Sequence, residues 1–168
     1  MRTAPALSII LLACILLPAS SADSRQKHHR KRPVKADVTV KKISKKDIPA
    51  EVMKAFTETY PTAEIKGQQK QVSEKVAFYQ IESVDSGKTL DVLFQSDGVI
   101  VEVAESVEES QLPENIRQAL KEKYPGGKIT NAECVTRGTH IEYEVALQVG
   151  KSTKEVVVNL AGKVFTVK

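Results

Sequence analysis

The chain has 168 residues, 41% of them hydrophobic and 27% charged, with 2 cysteines, no tryptophan and a formal net charge of +4. This composition suits a globular protein and excludes a disordered or fibrous one. Two cysteines, one of them inside the leading apolar run, also exclude a disulfide-stapled scaffold.

In chain order, residues 1–22 read as an export signal. Arg2 is its basic start, an apolar run extends from Leu7 to Leu17, Pro18 breaks that run, and Ser20-Ser21-Ala22 supplies small residues for cleavage. The run has about 11 residues, against the roughly 20 that a membrane-spanning helix needs. The expected product is exported, periplasmic or secreted, with no transmembrane segment after cleavage. Leu11-Leu12-Ala13-Cys14 loosely resembles a lipoprotein box, so acylation at Cys14 stands as the lesser alternative. The processed chain keeps one cysteine, Cys134, and so no internal disulfide.

Residues 23–46 form a basic arm. Between 25 and 46 there are ten Lys or Arg and one acid, Asp37, whereas from Asp47 onward 14 basic residues face 19 acidic ones. The net charge therefore belongs to the arm, and the globular part is acidic. Runs of like charge are commonly solvated and disordered, and the tail from Val34 to Val40 reads as partly extended. A functional reading of Arg25, Lys27, Arg30, Lys31 and Arg32 is attraction to a polyanionic surface; a plain spacer is the alternative. No aromatic residue interleaves the arm, so it offers no stacking platform for nucleic acid.

From residue 48 the chain repeats itself. Residues 48–104 return as 112–168 at a constant offset of 64 and without a gap, with 11 identities in 57 positions. Pro49 matches Pro113, Tyr60-Pro61 matches Tyr124-Pro125, Tyr79 matches Tyr143, and Gly98 matches Gly162. Low identity in perfect register indicates an old tandem duplication, here placed at 47–106 and 107–168. Each repeat opens with a helix. Ile48, Val52, Ala55, Phe56 and Tyr60, and then Leu112, Ile116, Ala119, Leu120 and Tyr124, fall on one helical face. A proline at the first turn starts each helix, and the Pro after each tyrosine ends it. The period then becomes two, as in Ile141, Tyr143, Val145, Leu147 and Val149, which marks half-buried antiparallel strands. Strands are expected at about 63–71, 75–84, 89–95 and 99–104, and again at 128–136, 139–149, 153–159 and 163–167. The expected fold class is α+β: two tandem repeats, each one helix packed on a four-stranded antiparallel sheet.

With Tyr79, Ile81, Leu90, Val92 and Phe94 turned toward the helix, the other face carries Phe78, Gln80, Glu82, Asp91, Leu93 and Gln95. The second repeat places Glu142, Glu144, Glu155 and Val157 there. This face reads either as a solvated sheet surface or as a partner-binding surface with apolar anchors in a polar rim. No catalytic motif, metal-ligand spacing or cofactor loop occurs, so no enzyme activity and no cofactor are expected.

The prolines that open the helices, the Tyr-Pro pairs that close them, Phe78-Tyr79-Gln80-Ile81, Tyr143-Glu144-Val145, and Leu90-Asp91-Val92-Leu93-Phe94 before a turn glycine together resemble the PepSY-like family of exported bacterial proteins, whose domains are similar to those of the beta-lactamase inhibitory protein. The resemblance implies two helix-plus-sheet units joined edge to edge, offering a broad face to a protein partner such as a peptidase or an envelope sensor. It brings no catalytic residues. The function expected is a non-catalytic, protein-binding or peptidase-inhibitor-like module. The alternative is an envelope scaffold held to anionic surfaces by the arm.

Overall fold

The computed structural model describes residues 38–166; the export signal and the arm side chains Arg25, Lys27, Arg30, Lys31 and Arg32 lie outside them. The first described element is a strand, β1 (Thr39–Lys42), within the stretch assigned to the arm. That boundary is corrected here, because Thr39 and Val40 suit a pleated strand and β1 pairs antiparallel with the next strand at four positions. Lys41 and Lys42 fit because an edge strand tolerates exposed charge.

A 3-10 turn (Lys45–Asp47) leads from β1 to the first helix. Asp47 caps this turn rather than the helix: the Ser44 hydroxyl and backbone N–H donate to its Oδ2 at 2.6 and 3.1 Å. The hydroxyl bond, then the amide, holds the Asp47 carboxyl below its ordinary pKa. Helix α1 (Ala50–Thr59) starts after Pro49, whose carbonyl accepts from the Met53 N–H at 3.1 Å. Proline fits there because an N–H at that position would have no intrahelical partner. The helix stops at Tyr60, pushed out of the helical region at φ −127° by Pro61.

Four strands follow: β2 (Glu64–Ser73), β3 (Val76–Asp85), β4 (Lys88–Gln95) and β5 (Ile100–Ser106). The second copy comprises α2 (Glu114–Lys123), β6 (Lys128–Arg137), β7 (His140–Val149), β8 (Ser152–Asn159) and β9 (Val164–Thr166). The nine strands form one antiparallel sheet in sequence order. The fold is therefore α+β as expected, but the pairing does not divide into two four-stranded sheets. Strand β5 pairs with β4 from Leu90↔Glu105 to Phe94↔Ile100 and also with β6 from Val103↔Thr136 to Ser106↔Glu133. Strand β1 meets β2 from Thr39↔Val72 to Lys42↔Gln69, which is the β5–β6 register shifted by the same 64 positions. The structural repeat thus begins at Thr39, nine residues before the sequence repeat becomes visible.

Both helices lie on one face of the sheet. Val52 and Phe56 of α1 pack with Ile48 on Tyr79, Ile81, Leu90, Val92 and Phe94. Ile116 and Leu120 of α2 pack with Leu112 on Ala132, Val145, Leu147, Val156 and Val158. The helix-facing set expected in the first repeat is the one observed. Phe56 and Phe94 meet edge to face, with ring centroids 6.4 Å apart and planes at 73°, a favoured aromatic geometry. Each helix buries its own stripe over its own strands, so the sheet supports two separate cores.

Candidate functional site

Side chains alternate across a strand, so the register fixes what the opposite face carries. Across β3 to β8, one row runs Glu82↔Asp91, Ala104, Val135, Glu142↔Asn159. The next holds Ser106↔Glu133, then Glu144↔Val157 and Phe165. A third runs from Gln69↔Gln80 through Leu93 to Glu102. The residues expected on this face, Phe78, Gln80, Glu82, Asp91, Leu93, Gln95, Glu142, Glu144, Glu155 and Val157, all share it by register. Among the described residues, both helices are engaged on the other side and neither covers it.

The face is more closed in at its centre than an open sheet surface would be. Leu93 is 1% exposed, Gln80 and Glu102 are 2% exposed, and Gln71 and Asp91 are buried beside them. Strands bend at the bulges between Ile65 and Gly67, Leu93 and Phe94, and Ile129 and Asn131. Phe78 and Val157 are half-buried, whereas Gln95 and Glu155 are exposed. Leu93 is thus part of the packed interior of this face and not an accessible anchor.

Arg137, the last residue of β6, organises the middle. Its Nε donates to Glu102 Oε2 at 2.5 Å, one terminal nitrogen donates to Glu142, and the other reaches Glu144 Oε1 at 3.2 Å. His140 Nε2 lies 3.3 Å from the second Glu142 oxygen. One guanidinium therefore serves three carboxylates, with Glu133 directly opposite Glu144. Burial pushes the Glu102 and Glu144 carboxyls above their ordinary pKa, and the Arg137 charge and hydrogen bonds pull back only in part. Burial opposes the Arg137 charge as well, but Glu102, Glu142 and Glu144 outweigh it and hold its pKa up.

A second polar group sits toward β1. Gln71 Nε2 donates to Gln80 Oε1 at 2.7 Å. This leaves one buried acceptor, Gln71 Oε1, and one buried donor, Gln80 Nε2, without a partner among the described residues. An orphaned buried polar group costs about 1–3 kcal/mol, so the pair is expensive as it stands. Gln69 donates in turn to Glu82. Counting Glu64, Glu82, Asp91, Glu102, Glu133, Glu142, Glu144 and Glu155, eight carboxylates share the face by register with Arg137, Lys128 and, at the β1 edge, Lys42.

Sequence reading placed the face but missed its centre. Arg137 reads as a turn residue before Gly138, and Glu102 as part of a solvated acidic pair. They lie 35 residues apart and meet only through the β5–β6 pairing. Among the described residues no group of three or more His, Cys, Asp and Glu is placed to hold a metal ion, and no helix is long and apolar enough to cross a membrane.

The chain matches the model of the family described as "Putative beta-lactamase-inhibitor-like, PepSY-like" twice, over residues 35–102 and 79–165. Among solved structures, a DUF2874 family protein from Bacteroides uniformis is 19% identical, with 70% of this chain and 86% of that one covered and a TM-score of 0.60. A BLIP-like protein from Bacteroides fragilis is 18% identical, with coverages of 71% and 85% and a TM-score of 0.56. A Bacteroides eggerthii structure described as "putative periplasmic proteins" is 19% identical, with coverages of 70% and 85% and a TM-score of 0.60. At such identities the likeness is one of fold. No curated protein matches the chain.

Proposed function

Since the chain belongs to the PepSY-like, beta-lactamase-inhibitor-like family, we propose that it is an exported, non-catalytic module that binds a protein partner through the sheet face opposite its helices. The observation that carries this reading is a continuous nine-stranded face that no described helix covers, dense in carboxylates and carrying the half-buried Phe78 and Val157. A fold that needs only one sheet face for its cores leaves the other for recognition, where apolar points inside a polar rim suit a protein partner. The absence of catalysis draws support from the Arg137 cluster, whose carboxylates are engaged by a cation rather than paired as acid and base. Export draws support from the leading segment of the chain and from a structural relative described as periplasmic.

The test is recovery of a partner from envelope extract. Phe78 and Val157 are the positions to change, because Leu93→Asp would bury a charge at a site 1% exposed and unfold the protein. Phe78→Asp combined with Val157→Asp should abolish recovery while circular dichroism stays native. Undiminished recovery by the folded double variant refutes the assignment of the face.

A further inference from the structure

We propose that the acidic face is occupied, in the protein without its partner, by the chain's own basic segment at residues 25–35. The proposal concerns the same face as the partner reading, but it is an intramolecular contact and stands or falls separately.

Charge is the first argument. Eight carboxylates on this face meet Arg137, Lys128 and the edge residue Lys42, a formal balance of about −5. Residues 25–35 carry six Lys or Arg and no acid. Opposite fields of this size, tethered in one molecule, attract at a high effective concentration.

Entry point is the second. The segment joins the described structure at the start of β1, the strand flanking the face. Val40 and Lys42 of β1 stand opposite Gln71 and Gln69 of β2 by register, on this same face. The chain therefore enters at the β1 edge of this face, beside Gln71 and Gln69.

Reach is the third. From Val38 back to Arg25 an extended chain spans about 43 Å, at roughly 3.3 Å per residue. From β1 to β7, which carries Glu142 and Glu144, is six strand spacings, or about 29 Å. The segment can thus cross the whole acidic field with its basic residues distributed over β3 to β7. Three carboxylates sharing the single Arg137 guanidinium leave an excess of negative charge at the far end of that path.

Zero-length carbodiimide coupling of the full chain, as its host processes it, reads the contact directly. Lys27, Lys31 and Lys35 should join Glu82, Glu142, Glu144 or Glu155 within one molecule, and the yield should fall about threefold or more from about 50 mM to about 500 mM salt, as screening shortens the reach of the charges. Coupling of these lysines only to helix acids such as Glu51, Glu58 and Glu122, only between molecules, or not at all overturns the proposal. Binding to anionic phosphatidylglycerol vesicles gives an independent measure. If the face competes for the segment, Glu82→Gln with Glu155→Gln should bind such vesicles about fivefold more tightly than the wild type, roughly one basic residue's worth of attraction. Equal binding by the two proteins means that the segment is already free, and the proposal fails. The partner pull-down is read separately, since loss of self-occupancy would leave the Phe78 and Val157 result untouched.

Discussion

Arg137 shows what one cation can hold. It stands 28% exposed between Glu102, Glu142 and Glu144, and Glu102 is 2% exposed. Removing one member of such a buried group leaves the others uncompensated, so Arg137→Gln should destabilise the fold by about 3 kcal/mol in denaturant unfolding at pH 7. Replacing one of the three acids has the opposite logic. The Glu102 carboxyl has its pKa raised above 4.5, chiefly by burial, so the folded state binds its proton more tightly than the unfolded chain does. The stability it contributes is complete below the unfolded value and is lost as pH rises through the higher folded value. Glu102→Gln should therefore gain on the wild type as pH rises above about 4.5, measured as the difference between the two unfolding free energies. Parallel curves would show that Arg137 fully compensates the Glu102 charge.

Turns and strands show why some of the fold is legible in the sequence and some is not. Gly98 has φ +86°, and a Cβ placed on it would lie 2.7 Å from the Glu51 carbonyl oxygen in the first turn of α1. Gly162 repeats the approach against the Asn115 carbonyl at 3.3 Å. Gly87 has a similar φ of +84° but nothing within 4 Å. Gly87→Ala should thus cost about 1 kcal/mol from backbone strain alone. Gly98→Ala should cost about 2 kcal/mol more, because the turn must also move off the helix. A lower unfolding midpoint at unchanged slope is the measurement; equal costs would show that the turn yields freely. Identity survived at such points because backbone geometry permits one residue there, and that is why the 64-residue repeat could be read. Strand β1 read only as the end of a partly extended tail, and its place in the repeat was hidden for the opposite reason. Thr39-Val40-Lys41-Lys42 shares no residue with Val103-Ala104-Glu105-Ser106, and it sits in a basic run that reads as solvated. The hairpins were legible from their turns, whereas the β5–β6 register, which brings Glu102 to Arg137, is set across an intervening helix and has no local signature.

On the scale of the whole molecule, the two cores are separate clusters on one continuous sheet. Val52 and Phe56 serve one, Ile116 and Leu120 the other. Opening of one core need not open its neighbour, since cooperative units tend to follow supersecondary motifs. Leu120→Ala removes a side chain 2% exposed and should cost about 3 kcal/mol. Native-state hydrogen exchange should then quicken in β6 to β9 well beyond any change in β2 to β4. Uniform quickening across all nine strands would mean that the sheet unfolds as one unit.

Strand β5 hydrogen-bonds β4 on one side and β6 on the other, and β1 holds the corresponding place for the first copy. The joint is therefore a splice, not a seam. A cut before Ile100 strips the first copy of its closing strand, and a cut after Ser106 strips the second of its opening one. No bond in the chain separates two complete halves, although the duplication reads as two units. A stable single copy would have to be made by writing β5 twice.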